Sequence, residues 1–172
     1  MSDDLLGKVQ GAQNELEEVL SHIPGYKGYK RREQRREADK LLRLEVARRY
    51  GEQLKHLGEV QYALSEKGEL ALLASLERAV SKLQLLIDRL RTASYGYAGL
   101  FDALKVDEEV LDRLYAFDYA MVEGADSVTV SIEALERAVE EDRDAPAQID
   151  ELLDQLTELN ETFTRRQDVI LG

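Results

Sequence analysis

The chain has 172 residues, with 23 Lys or Arg against 35 Asp or Glu and a formal net charge of −12. With no Cys, no Trp and only two Pro, it excludes a disulfide scaffold, a thiolate metal site, a Cys nucleophile and Pro-rich disorder. A hydrophobic share of 44% is enough to build a core, and the length suits one domain.

The first residues, Met1 to Leu6, are acidic and lack the basic region of a signal peptide. Apolar runs are only a few residues long throughout, against the ~20 that span a bilayer. The cytoplasm is the expected location, with peripheral attachment to a membrane as the variant.

Helical spacing dominates from the start. Leu5, Leu6, Val9, Ala12, Leu16, Val19 and Leu20 recur at three- and four-residue intervals, predicting a first helix near 3–22 that Pro24-Gly25 ends. Ile23 to Tyr29 forms a loop. A second, long helix is expected near 29–67, with Ala38, Leu42, Val46, Tyr50, Leu54, Leu57, Val60 and Leu64 as its stripe. Gly51 and Gly58 inside it each cost ~1 kcal/mol relative to Ala, which suggests a bend. Gly68 suits the position just past its end, with Leu70 as the following apolar contact. A third helix is expected near 69–93; its wide apolar face, Leu72 to Leu90, suits contact with more than one helix. The loop Ser94 to Phe101 follows.

Asp107 is a good cap for a fourth helix near 107–142. Its segment Val128-Thr129-Val130-Ser131-Ile132 is strand-like in composition. Within a helical frame it reads as a β-branched patch on a packed helix, with a short strand as the alternative. Asp144-Ala145-Pro146 starts a fifth helix near 146–168, with Pro close to its first position. With no internal repeat and no linker, residues 1–172 read as one all-α domain.

Lengths decide the shape. The second and fourth predicted helices would measure roughly 57 and 53 Å, against a sphere roughly 40 Å across for a chain of this size. The expected fold is therefore an elongated antiparallel bundle of about five helices, two of them long, with coiled-coil-like seams. Short connections would make successive helices antiparallel neighbours. Both Gly-Tyr loops would then fall near one end, beside the start of the second helix.

Charge is uneven along the chain. Eleven of the 23 cationic residues lie between Lys27 and Lys55, against five acids, so this window carries +6 and the rest −18. The stripe of the second helix, continued backwards from Leu42 and Ala38, reaches Arg35 or Gln34 and then Arg31. Buried unpaired charge costs several kcal/mol, so these turns must protrude, pair with carboxylates or hold a ligand. Internal pairing and solvation form one reading. The other is an anion-binding patch of Lys30, Arg31, Arg32, Arg35 and Arg36 for an acidic protein partner or an anionic membrane. Nucleic acid is disfavoured, because the chain is acidic overall and carries no recognition motif.

The loops Pro-Gly-Tyr-x-Gly-Tyr and Tyr-Gly-Tyr-x-Gly-x-Phe place Tyr26, Tyr29, Tyr95, Tyr97 and Phe101 beside this patch. They either cap the bundle or form a recognition surface. Neither matches a phosphate-binding motif. The two histidines sit in Glu18-x-x-x-His22 and Glu52-x-x-x-His56, one residue off the Glu-x-x-His spacing of di-iron carboxylate bundles. No catalytic residue, metal ligand or cofactor is therefore expected, and an enzyme or metal-binding bundle has no motif behind it. Self-association is a further expectation, from the width of the third helix's apolar face.

The run Ile23 to Arg43, with its Pro-Gly-Tyr-x-Gly-Tyr-Lys loop followed by Arg-Arg-Glu, resembles a pattern in uncharacterised prokaryotic helical proteins. It covers about 20 residues, and the resemblance implies no activity and no functional residue. In charge order alone the chain is similar to membrane-remodelling helical proteins of the phage-shock and ESCRT-III type.

Overall fold

A computed structural model describes residues 18, 20–25, 35–93 and 108–171. Among the described residues, four long helices run in order: α1 Arg35–Glu66, α2 Leu70–Thr92, α3 Glu108–Glu140 and α4 Ala145–Leu171. The described residues contain no strand. At 1.5 Å per residue, α1 and α3, of 32 and 33 residues, are about 48 and 50 Å long.

The buried positions show why these helices associate. In α3 they include the row Leu114, Asp118, Met121, Ala125, Val128, Ile132, Leu135 and Val139, alternating steps of four and three. In α4 the same alternation gives Ile149, Leu152, Leu156, Leu159, Phe163 and Arg166. Leu76, Ala79, Leu83, Leu86 and Leu90 repeat it in α2. A mean step of 3.5 residues keeps a seam facing its partner along a gently supercoiled helix. Hydrophobic burial along these seams joins all four helices in one core. Leu20 and Ile23, just before Pro24, are buried in the same core.

The helices form two hairpins. Gly68, at φ 73°, closes α1, with the Glu69 amide donating to the Leu64 carbonyl and the Gly68 amide to Ser65. This is the left-handed cap expected of a glycine just past a helix. Leu70, however, is 72% exposed. α3 ends the same way with a non-glycine: Asp142 has φ 53°, and the Arg143 amide donates to Ala138. Lys67 ties the two turns together, donating to the Val139 carbonyl and, at 2.6 Å, to Asp142.

α1 packs on α2 and α3, while α4 packs on α2 and α3. Within each hairpin the helices are antiparallel: Arg43 meets Leu90, and Asp118 meets Arg166. Between hairpins they are parallel. Tyr50 donates to the Met121 carbonyl at 2.9 Å, and Lys67 reaches Val139, so α1 and α3 advance together. Asn160 donates to Lys82, and Arg89 to Thr164, so α2 and α4 do the same. The expectation that every successive pair is an antiparallel neighbour therefore fails between α2 and α3, which sit on a diagonal of the bundle. The 94–107 connection is long enough to allow this.

Gly124 permits the close approach of three helices. A Cβ there would fall 2.4 Å from Leu159 Cδ2 and 2.8 Å from the Tyr50 hydroxyl. Residues 128–132 are helical: Val128 and Ile132 face the core, and the Thr129 hydroxyl donates to Ala125. The wide face of α2 is explained by its two partners, α1 and α4. α1 is continuous through Gly51 and Gly58. Most of the predicted first helix, and the 29–34 start of the second, lie outside the described residues.

Candidate functional site

One end of the bundle gathers the start of α1, the end of α2, the start of α3 and the end of α4. Toward this end, one layer of the core is lined by Leu42, Arg43, Val46, Leu90, Asp118, Met121, Phe163 and Arg166. α2 stops two residues beyond Leu90, whereas α1 extends eight residues, about 12 Å, beyond Arg43. The described residues flanking both Gly-Tyr loops, Gly25 and Ala93, lie at this end; a Cβ on Gly25 would sit 3.7 Å from Leu41 Cδ1. Arg35 and Arg36 open the described part of α1. Arg35 occupies the register seven residues before buried Leu42, continuing the core-facing row. Lys30, Arg31, Arg32, Tyr26, Tyr29, Tyr95, Tyr97 and Phe101 lie outside the described residues, as do the side chains of Arg35 and Arg36.

Beneath this end the core is ionic. Arg166 and Asp118 are 1% and 2% exposed, and the guanidinium Nε donates to the carboxylate at 2.8 Å. Arg43, 4% exposed, donates to the Leu90 carbonyl at 2.8 Å. Each occupies a core position, so desolvation is offset by pairing rather than avoided. The sequence reading missed this cluster because it tracked apolar residues only. Extending the four–three alternation would have landed on Asp118 and Arg166.

Other cations of the basic window are used internally. Arg48 pairs with Glu45 at 2.8 Å and also with Glu52; Arg49 reaches Glu45 at 3.2 Å and Asp126 at 4.0 Å. The hydrogen bond from Arg48, seconded by Arg49, holds the Glu45 carboxyl below its ordinary value against the opposing effect of burial. Burial, with the Asp126 charge as a smaller cause, pushes the Tyr50 phenol up, so its hydroxyl keeps the proton it donates to Met121. Internal pairing thus accounts for the later part of the window, from Arg43 to Arg49.

The two parallel seams carry polar side chains of their own. Asn160 donates to Lys82 at 3.1 Å, and Arg89 donates to the Asn160 carbonyl at 2.9 Å while its guanidinium lies 5.1 Å from the Phe163 ring centre. His56, Glu59 and Glu136 converge across the α1–α3 seam, all three donor atoms within 4.8 Å of one another. Glu52, four residues before His56, is not part of this group; Glu59, three residues after it, is the signal in the sequence. His22 is exposed just past the helical residues 20 and 21, its ring against the Glu18 carbonyl at 2.8 Å.

No helix among the described residues is long and apolar enough to cross a membrane. No protein-family model, curated protein or solved structure matches the chain.

Proposed function

We propose that the protein is a non-enzymatic helical adaptor that captures an acidic partner protein at the basic end of the bundle. Lys30, Arg31, Arg32, Arg35 and Arg36 would supply the charge, and the Gly-Tyr loops, with Tyr26, Tyr29, Tyr95, Tyr97 and Phe101, the aromatic contacts. The observation that carries this reading is the register of α1. Its core-facing row passes from Leu42 to Arg35 as the helix runs about 12 Å beyond the layer where Arg43 meets Leu90. A cationic row continuing a core seam suits a partner that brings carboxylates to it. Arginine beside aromatic rings is the composition of binding hot spots.

The second support is economy of charge. Arg43 is buried against Leu90, Arg48 and Arg49 pair with carboxylates on the bundle's own surface, and the densest cationic stretch, 30–36, precedes them all. The bundle below is a firm support, because the layer that holds Asp118 and Arg166 is buried and hydrogen-bonded.

Affinity capture with the wild type and an Arg31→Glu/Arg35→Glu variant tests the reading. The expected result is loss of the captured acidic protein with helical circular dichroism unchanged. Unchanged capture overturns it. Salt-sensitive co-sedimentation with anionic vesicles, absent with neutral ones, would assign the same patch to a membrane surface instead.

A further inference from the structure

We propose that His56, Glu59 and Glu136 form a binding site for a first-row divalent transition-metal ion, with Zn²⁺ as its probe, that ties α1 to α3. His56 and Glu59 are three residues apart on one face of α1, and Glu136 approaches from α3. His56 Nδ1 stands 3.8 Å from Glu59 Oε2 and 3.7 Å from Glu136 Oε1. These separations are too long for hydrogen bonds. They are close to the spacing of metal ligands: donors about 2.1 Å from a tetrahedral ion lie about 3.4 Å apart. Movements of a few tenths of an ångström to about an ångström, in exposed side-chain tips, would close the site.

The chemistry of the donors points the same way. Two ionised carboxylates are acceptors only, and a neutral imidazole turns one lone pair toward its partner. None of the three side chains makes another ion pair or side-chain hydrogen bond among the described residues. Lone pairs converging on one point are stabilised by a cation placed there. One imidazole nitrogen with two carboxylate oxygens suits zinc and its neighbours. Mg²⁺ and Ca²⁺ prefer six or more oxygens. Three protein ligands leave an open position, and Glu59, Glu136 and Glu140 line an adjoining cleft of about 210 Å³ through which water reaches it.

Such an ion would join the two hairpins where their helices run parallel, far along α1 from the basic end. The proposal therefore stands or falls independently of partner capture.

The test is calorimetric titration of the untagged full chain, stripped by a chelator, with Zn²⁺. Saturable binding of one ion per chain is expected, with a rise in melting temperature. His56→Ala and Glu136→Gln should each weaken binding at least tenfold, and His22→Ala should leave it unchanged. All three ligand side chains are at least one-third exposed, so these variants should keep the wild-type circular dichroism. Absence of saturable binding overturns the proposal. So does His56→Ala binding as tightly as wild type, or displacement of Zn²⁺ by an equal concentration of Mg²⁺.

Discussion

Asp118 provides the sharpest test of how the basic end is supported. Its side chain and that of Arg166 are 3% and 2% exposed, joined by a 2.8 Å charge-assisted hydrogen bond. Asp118→Ala removes the carboxylate and leaves the Arg166 guanidinium in a layer it shares with Arg43, Phe163 and Met121. Removing one partner of a buried ion pair costs about 3–5 kcal/mol. In a chain of this size each kcal/mol lowers the melting temperature by roughly 2–4 °C, so a fall of roughly 6–20 °C is expected. Replacing both partners, as Asp118→Leu/Arg166→Met, removes the desolvation cost with the attraction and should recover part of the loss. Urea unfolding followed by circular dichroism measures all three chains, with a constant slope as the check on two-state behaviour. A loss below ~1 kcal/mol for Asp118→Ala would refute the reasoning. So would a double variant less stable than the single one.

Two further predictions concern other parts of the bundle. Gly58→Ala should stabilise by up to ~1 kcal/mol, because a Cβ there meets nothing within 4 Å and the helix gains propensity. Gly124→Ala gains the same propensity, but its Cβ presses on Leu159 and on the hydroxyl that Tyr50 donates to Met121. Overpacking of ~1–3 kcal/mol should win, and thermal melts that shift in the same direction for both variants would contradict the packing. Glu45→Gln should cost under ~1 kcal/mol at neutral pH, as expected of a surface pair. The folded-state value of Glu45 lies below its ordinary 4.5, so its contribution is present above that pH and is lost as acid protonates it. The gap between wild type and variant should therefore shrink in unfolding curves taken below about pH 4.5; a gap that widens in acid would count against it.

The helices were legible because their signal is strong and local. Leu114 to Val139 and Ile149 to Phe163 keep a three–four spacing over many turns, and Gly68 marks the end of α1 by a conformation few other residues adopt. Asp142 closes α3 in that same conformation without being glycine, so composition did not flag it. The pairing of helices was not legible. Periodicity says which face is buried but not which helix covers it, and the α2–α3 diagonal depends on a connection whose length permits either arrangement. The ionic layer was hidden for a different reason. Arg43, Asp118 and Arg166 look like surface residues one at a time, and only their shared place on the seams identifies them as core. His56 and Glu59 could be paired from sequence, whereas Glu136, 77 residues further on, needed the fold.

The central claim is that recognition occurs at the end where α1 starts. Amide hydrogen exchange of the protein with and without its captured partner measures this directly. Slowed exchange is expected over the start of α1 through Arg43, with the opposite turns at 66–70 and 140–145 unchanged. Protection at those turns, with none at the start of α1, would contradict it.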